Sequence, residues 1–259
     1  MIEKTDKKST VVKIELRKIK YISVRMPVTA DKSMVLVRMG LEMTDGYKKG
    51  KYNYASMSTA NKWQALLWAW TNPGWLRLRI ISINLNKKGT KTELGIVTNR
   101  KSIKQLIPQI MQRLSNEELA LLTWGAILGD GSLFLVKYKS SRLRIPQIRI
   151  AAKDVNKWKE LERLGFKGCE KHGFLDLRYS KARRYAKMLM EIMSPRLKRL
   201  MDLLEIKKWK TLKEFLQYKT FSHLQITIHG VAFTVQIKKR WIFEVIQVHK
   251  GAGEVVRRA

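Results

Sequence analysis

The sequence predicts an α+β protein with an αββαββα segment over residues 115–193, preceded by an α+β segment of ββαββα order. Two observations carry this. Apolar residues alternate at period two in short runs closed by Gly, Asn or Asp turns, the pattern of half-buried strands. Between those runs, apolar residues recur at the 3.6-residue helical period. One further stretch stands apart: Leu121 to Leu133 is apolar and helical, carries Gly125 and Gly129, and ends in Gly129-Asp130-Gly131.

Along residues 1–114, Val12, Ile14 and Leu16 alternate with charged or polar residues. Val35, Val37, Met39, Leu41 and Met43 alternate again before Thr44-Asp45-Gly46, and are expected to form a second strand. A helix is expected from Asn61 to Thr71, closed by Asn72-Pro73-Gly74. Leu76, Leu78 and Ile80 define a strand that returns through Asn86-Lys87-Lys88-Gly89 into Thr92–Thr98, and a helix kinked or divided by Pro108 follows from about Lys101. Trp63, Trp68, Trp70 and Trp75 fit a local core, with base stacking as the sharper alternative.

Ser115 and Glu118 form a capping box for a helix reaching Asp130. Leu133–Lys139 and Leu143–Ile150 then make a hairpin. Asp154 caps a helix ending at Gly165, and a second hairpin turns at His172-Gly173. Ala182, Tyr185, Ala186, Leu189 and Ile192 stripe the next helix, which Ser194-Pro195 breaks before a basic helical segment to Gln217. Residues 218–259 add a hairpin around His229-Gly230, giving expected domains at 1–114, 115–217 and 218–259. No internal repeat is evident, although the order of the first half echoes the second without its leading helix.

Lys and Arg number 53 against 21 Asp and Glu, a formal charge of +32. Such self-repulsion calls for a polyanionic partner, and phosphate contacts make nucleic acid the leading candidate. No basic amphipathic helix or lipidation signal points to a membrane. Cys169 is the single cysteine, which excludes an intramolecular disulfide and a Cys-based zinc site. The polar start from Met1 to Thr10 and the shortness of the apolar run Ala65–Trp70 point to a cytoplasmic protein. The four histidines lack ligand spacing; His223 and His229 would lie roughly 20 Å apart on a strand.

Gly125 and Gly129 share a helix face, where missing side chains let a second backbone come close. Asp130 sits at the helix C-terminus, where the dipole disfavours an anion. Both features are explained if two such helices cross and their terminal carboxylates share a cation. Ordinary packing within the chain, and a turn aspartate before glycine, are the plainer alternatives.

Thr123-Trp124-Gly125-Ala126-Ile127-Leu128-Gly129-Asp130-Gly131 resembles the motif of single-motif LAGLIDADG homing endonucleases, and residues 115–217 follow that family's αββαββα order. Pro146 to Ile150, Lys153-Asp154, Leu164-Gly165-Phe166 and Ile206 to Lys210 resemble later family segments. The resemblance implies a double-stranded DNA endonuclease using Mg²⁺ or Mn²⁺, with Asp130 and the Gly129 carbonyl as metal ligands and Lys207 supporting the active-site waters; Lys208 or Lys210 could serve by register. One motif per chain implies a homodimer through Gly125 and Gly129. It also implies a sheet lying in the major groove, with Gln147, Arg149, Asp176 and Arg178 on the reading face and Lys137, Lys139, Arg142 and Arg144 near phosphates or bases. Pro146 leaves the facing between Arg144 and Gln147 open. Ala152 and Asn156 depart from the polar and basic residues frequent at their positions. The rival function is a catalytically inert DNA-binding regulator or a maturase that binds structured RNA. Across its whole length the chain also resembles the dispersed PaREP repeat proteins.

Overall fold

A computed structural model describes residues 9–17, 20–27, 30–72, 74–86, 89–137, 144–217, 223–228, 231–238, 242–250 and 254–256. The chain divides into two compact units, Met1–Gln217 and Tyr218–Ala259. Both the 1–114 and the 115–217 segments lie in the first.

That unit opens with β1 (Ser9–Arg17) and β2 (Lys20–Pro27), followed by α1 (Lys32–Thr44), β3 (Gly46–Lys49) and β4 (Tyr54–Thr59). Then come α2 (Lys62–Thr71), β5 (Gly74–Asn86), β6 (Gly89–Lys101) and α3 (Ile107–Arg113). The second half runs α4 (Asn116–Asp130), β7 (Gly131–Lys137), β8 (Arg144–Ala151), a 3-10 helix over Val155–Leu164, β9 (Lys167–Cys169), β10 (Phe174–Arg178) and α5 (Tyr179–Ile192). Helices α6 (Pro195–Leu203) and α7 (Lys207–Gln217) complete it. The expected α+β class and the αββαββα order over 115–193 are present.

The strand Val35–Met43 is a correction, because those residues lie in α1. Asp31 caps this helix by accepting from the Met34 amide at 2.9 Å. Ten of its thirteen residues are buried, so no polar face exposes a helical period, and the accidental odd-numbered apolar run reads as a strand. The helix expected from Lys101 also starts later. Lys101 ends β6, and Pro108 occupies the first turn of α3, where its missing N–H costs nothing.

With α1 in place the unit contains an internal repeat. The first sheet is ordered β2-β1-β5-β6-β4-β3 and the second β7-β8-β10-β9. Within the first, β3-β4-β6-β5 repeats the second sheet's order. The β1–β2 hairpin is added at the edge through a parallel pairing of β1 with β5. Elements α1 to α3 thus form one αββαββα set, and α4 to α5 the other.

The two sets meet where α1 crosses α4. A Cβ built on Gly40 would lie 1.9 Å from the Leu122 carbonyl oxygen, and one on Gly125 would lie 2.0 Å from that of Val37. Only glycine permits this separation. Around the crossing, Leu41, Met57, Trp68, Leu122, Trp124 and Leu189 are fully buried. The Trp124 indole donates to the Met201 sulfur at 3.1 Å, and the buried Tyr185 hydroxyl donates to the Ala120 carbonyl at 2.9 Å.

The second unit holds β11 (His223–Ile228), β12 (Val231–Lys238), β13 (Ile242–Lys250) and β14 (Glu254–Val256), paired in sequence order. Among the described residues no helix is long and apolar enough to cross a membrane.

Candidate active site at the helix crossing

The crossing brings two acidic residues together. In α1 the order is Gly40, Thr44, Asp45, Gly46; in α4 it is Gly125, Gly129, Asp130, Gly131, at the same spacing. The Asp45 carboxyl lies within hydrogen-bonding reach of Asp130. Burial, the Asp130 charge and that contact together push its pKa up to about 6, against the pull of Lys208 and Gln64. The Gln64 carboxamide donates to Asp45 Oδ2, and its own oxygen accepts from the Thr59 hydroxyl at 2.5 Å.

Each helix end is also held by a lysine. Lys208 Nζ donates to the carbonyls of Ile127, Leu128 and Gly129 at 2.8, 2.8 and 2.7 Å. Lys104 Nζ donates to those of Thr44 and Gly46 at 3.2 and 2.6 Å. These carbonyls lie at or beside the helix ends, where intrahelical partners run out and a cation is favoured. Burial pushes Lys208 down to about 8 even though Asp45 and Asp130 raise it, and it also lowers Lys104. Two clefts flank the acids. One of about 710 Å³ is lined by Lys48, Lys104, Asp130, Lys153 and Lys157, and one of about 380 Å³ by Asn61, Trp63, Gly129, Lys207 and Lys208.

Several expectations change here. Asp130 is at the site, but its partner is Asp45 of the same chain rather than the Asp130 of a second subunit. The face of Gly125 and Gly129 is filled by α1, and a Cβ on Gly129 would lie 2.1 Å from the Thr44 hydroxyl. That correction removes the reason for a homodimer through these glycines. Lys207 is exposed at a cleft rim, and one residue on along α7 it is Lys208 that reaches inward. The Gly129 carbonyl, expected as a metal ligand, accepts from Lys208. Sequence reasoning missed Asp45, Gln64 and Lys104. The Gly-x-x-x-Thr-Asp-Gly spacing signals Asp45, whereas nothing local marks Lys104, which lies beyond β6.

We expect Lys208→Met to destabilise the protein by about 1–3 kcal/mol, because it strands buried carbonyls. Lys207→Met should change stability by less than about 0.5 kcal/mol. Denaturant titration of the pair checks this, and equal losses would overturn the assignment.

On β8 and β10, Gln147, Arg149, Asp176 and Arg178 share one sheet face, with Gln147 and Asp176 buried in it. Arg149 pairs with Asp176 and Gln147 with Arg178, while Ile148, Ile150, Leu175 and Leu177 pack into the core. Pro146 pairs with Leu135 without a register shift, so the alternation survives. Lys137 and Arg144 pair across the hairpin, and Lys139 and Arg142 lie outside the described residues. In the first sheet, Ser56-Val97-Arg77 and Ser58-Gly95-Arg79 line up across β4, β6 and β5. Tyr47 pairs with Ser56, and its hydroxyl lies 3.3 Å from the Ser58 hydroxyl. Arg77 and Arg79 thus share a face with Ser58 and Tyr47, opposite Leu76 and Leu78.

No family model and no curated protein matches the chain. Among solved structures, it is similar to the homing endonuclease I-WcaI bound to its DNA recognition sequence, with 13% identity and a TM-score of 0.43, covering 67% of this chain and 88% of that one. It is also similar to mesophilic variants of the homing endonuclease I-DmoI, with 18% identity and a TM-score of 0.34, covering 64% and 92%.

Proposed function

We propose that the protein is a site-specific double-stranded DNA endonuclease acting as a single chain. The observation that carries this reading is the meeting of Asp45 and Asp130 at the ends of two crossed helices that each lead into a sheet, in a chain of charge +32. Two carboxylates forced together, one with its pKa raised to about 6, are an electrostatic conflict that a divalent cation relieves. Hard oxygen donors fit Mg²⁺ or Mn²⁺, so Asp45 and Asp130 would hold the metal. When bound, such an ion would activate a water and stabilise charge on the phosphoryl oxygens.

The chain's own residues do the rest. Lys208 and Lys104 fix the helix ends that present the acids and add positive charge beside the phosphate path. Gln64 orients Asp45 through Nε2, with its oxygen held by Thr59. The two sheets would lie along the major groove on either side of the scissile phosphates. Because their faces carry different residues, the preferred site is not a palindrome.

A randomised duplex library incubated with Mg²⁺ tests this, with wild type beside Asp130→Asn. Discrete double-strand cuts should fall by at least about 10³-fold in the variant, the size typical of losing a charge-stabilising group. Silence from both proteins, with duplex retained at moderate salt, would reduce the assignment to DNA binding alone.

A further inference from the structure

At the centre of the second sheet's reading face, two arginines converge on one buried carboxylate. Asp176 is 9% exposed, and both of its oxygens are engaged. Gln147, 8% exposed, donates Nε2 to Oδ1 at 2.6 Å, and Arg178 donates Nε to Oδ2. Arg149 Nε lies 4.0 Å from Oδ1, and its guanidinium lies 4.0 Å over the Phe174 ring. The His172 ring stacks on Phe174, with centroids 6.0 Å apart. The arginine side chains themselves remain open, at 48% for Arg178 and 38% for Arg149.

We propose that Asp176 determines specificity without touching a base: it fixes the Arg178 guanidinium so that this sheet reads guanine in one half of the DNA site. The inference rests on the DNA-binding reading above. An aspartate that accepts a hydrogen bond from cytosine N4 must expose an oxygen, whereas Asp176 is buried with both oxygens already engaged. Its geometry suits a buttress. With Nε of Arg178 tied down, the two terminal nitrogens are left as a planar fork, which matches guanine O6 and N7. Holding the fork in advance removes side-chain entropy that binding would otherwise cost. Gln147 completes the arrangement by tying the other Asp176 oxygen from β8. Phe174 supports Arg149 in the same way from its face.

Selection of full-length protein on randomised duplexes in EDTA-containing buffer tests this, comparing wild type, Asp176→Ala and Arg178→Lys. Wild type should enrich a motif with guanine in one half. Both variants should lose roughly 10-fold or more of the preference at that guanine, the scale of a bidentate contact. Affinity for unrelated duplex should hold in Arg178→Lys, and rise in Asp176→Ala because a negative charge has gone. A guanine preference unchanged in Asp176→Ala would overturn the proposal. So would uniform weakening on all sequences in Arg178→Lys, which marks a phosphate contact. Arg178 is exposed, so its variant reads the proposal even if Asp176→Ala fails to fold. A wild type that enriches no motif would overturn the DNA-reading function itself, an outcome distinct from both.

Discussion

Gly40→Ala is expected to destabilise the protein by about 4 kcal/mol, lowering its thermal midpoint by roughly 10 °C for a unit of this size. The new Cβ would stand 1.9 Å from the Leu122 carbonyl oxygen and 2.6 Å from the Ala126 amide nitrogen. Both are backbone atoms of α4, so relief requires the helices to separate along their whole crossing. That separation would also open the core around Trp68 and Trp124. Gly50→Ala is the control: nothing lies within 4 Å of its added Cβ, and only its φ of +68° resists the change. Its cost should be about 1–2 kcal/mol. Because both helices belong to one chain, the midpoints should not move over an approximately 100-fold range of protein concentration, whereas a pair shared between subunits would make them concentration-dependent. Equal losses for the two variants, or a midpoint that rises with concentration, would sink the intrachain crossing.

Asp45→Asn should remove cleavage as completely as Asp130→Asn, by at least about 10³-fold, although the sequence motif marks only one of them. In metal-free buffer the same change should stabilise the fold at neutral pH. The sign follows from proton uptake. The Asp45 carboxyl has a folded pKa of about 6 against an ordinary 3.8, so between those values the folded state binds more protons than the unfolded chain. Unfolding free energy therefore falls as pH rises from about 4 to 6, and the loss is complete above the folded value. With Asp45 partly open to solvent, the wild type should lose about 1–2 kcal/mol across that window relative to Asp45→Asn. Adding Mg²⁺ at pH 7 should restore the stability of the wild type and do nothing for the variant. Denaturant unfolding at pH 4, 5, 6 and 7, with and without Mg²⁺, reads all of this. A wild type whose gap to the variant does not widen with pH would show that the two carboxylates do not meet.

How much of the site was legible depends on where each residue's partners lie. Gly125, Gly129 and Asp130 stand in a helix with a capping box at Ser115, a local signal complete within sixteen residues. The shared face of Gln147, Arg149, Asp176 and Arg178 on β8 and β10 was legible because alternation reports the two sides of a strand. In α1 the equivalent signal was present in Gly40-x-x-x-Thr44-Asp45-Gly46 but was masked by its surroundings. A helix buried on nearly every side has no polar stripe, so Val35 to Met43 matched a strand equally well. Lys208 was offered beside Lys207 and Lys210, and only the rotation of α7 against α4 selects among them. Lys104 was not legible at all, since its partners Thr44 and Gly46 are about sixty residues away in the chain.

By itself the sequence determined the α+β class, the element order after Ser115, the excess of positive charge and the glycine-flanked acid at the end of α4. Those properties are written in periodicity, capping and composition, which act over a few residues. The tertiary structure decided that the partner helix lies in the same chain and that Asp45 completes the acidic pair. It also decided which lysine caps each helix and that buried Asp176 holds Arg178. Each of these depends on approach between distant segments, where a missing Cβ at Gly40 and Gly125 sets the distance and burial sets the charge states.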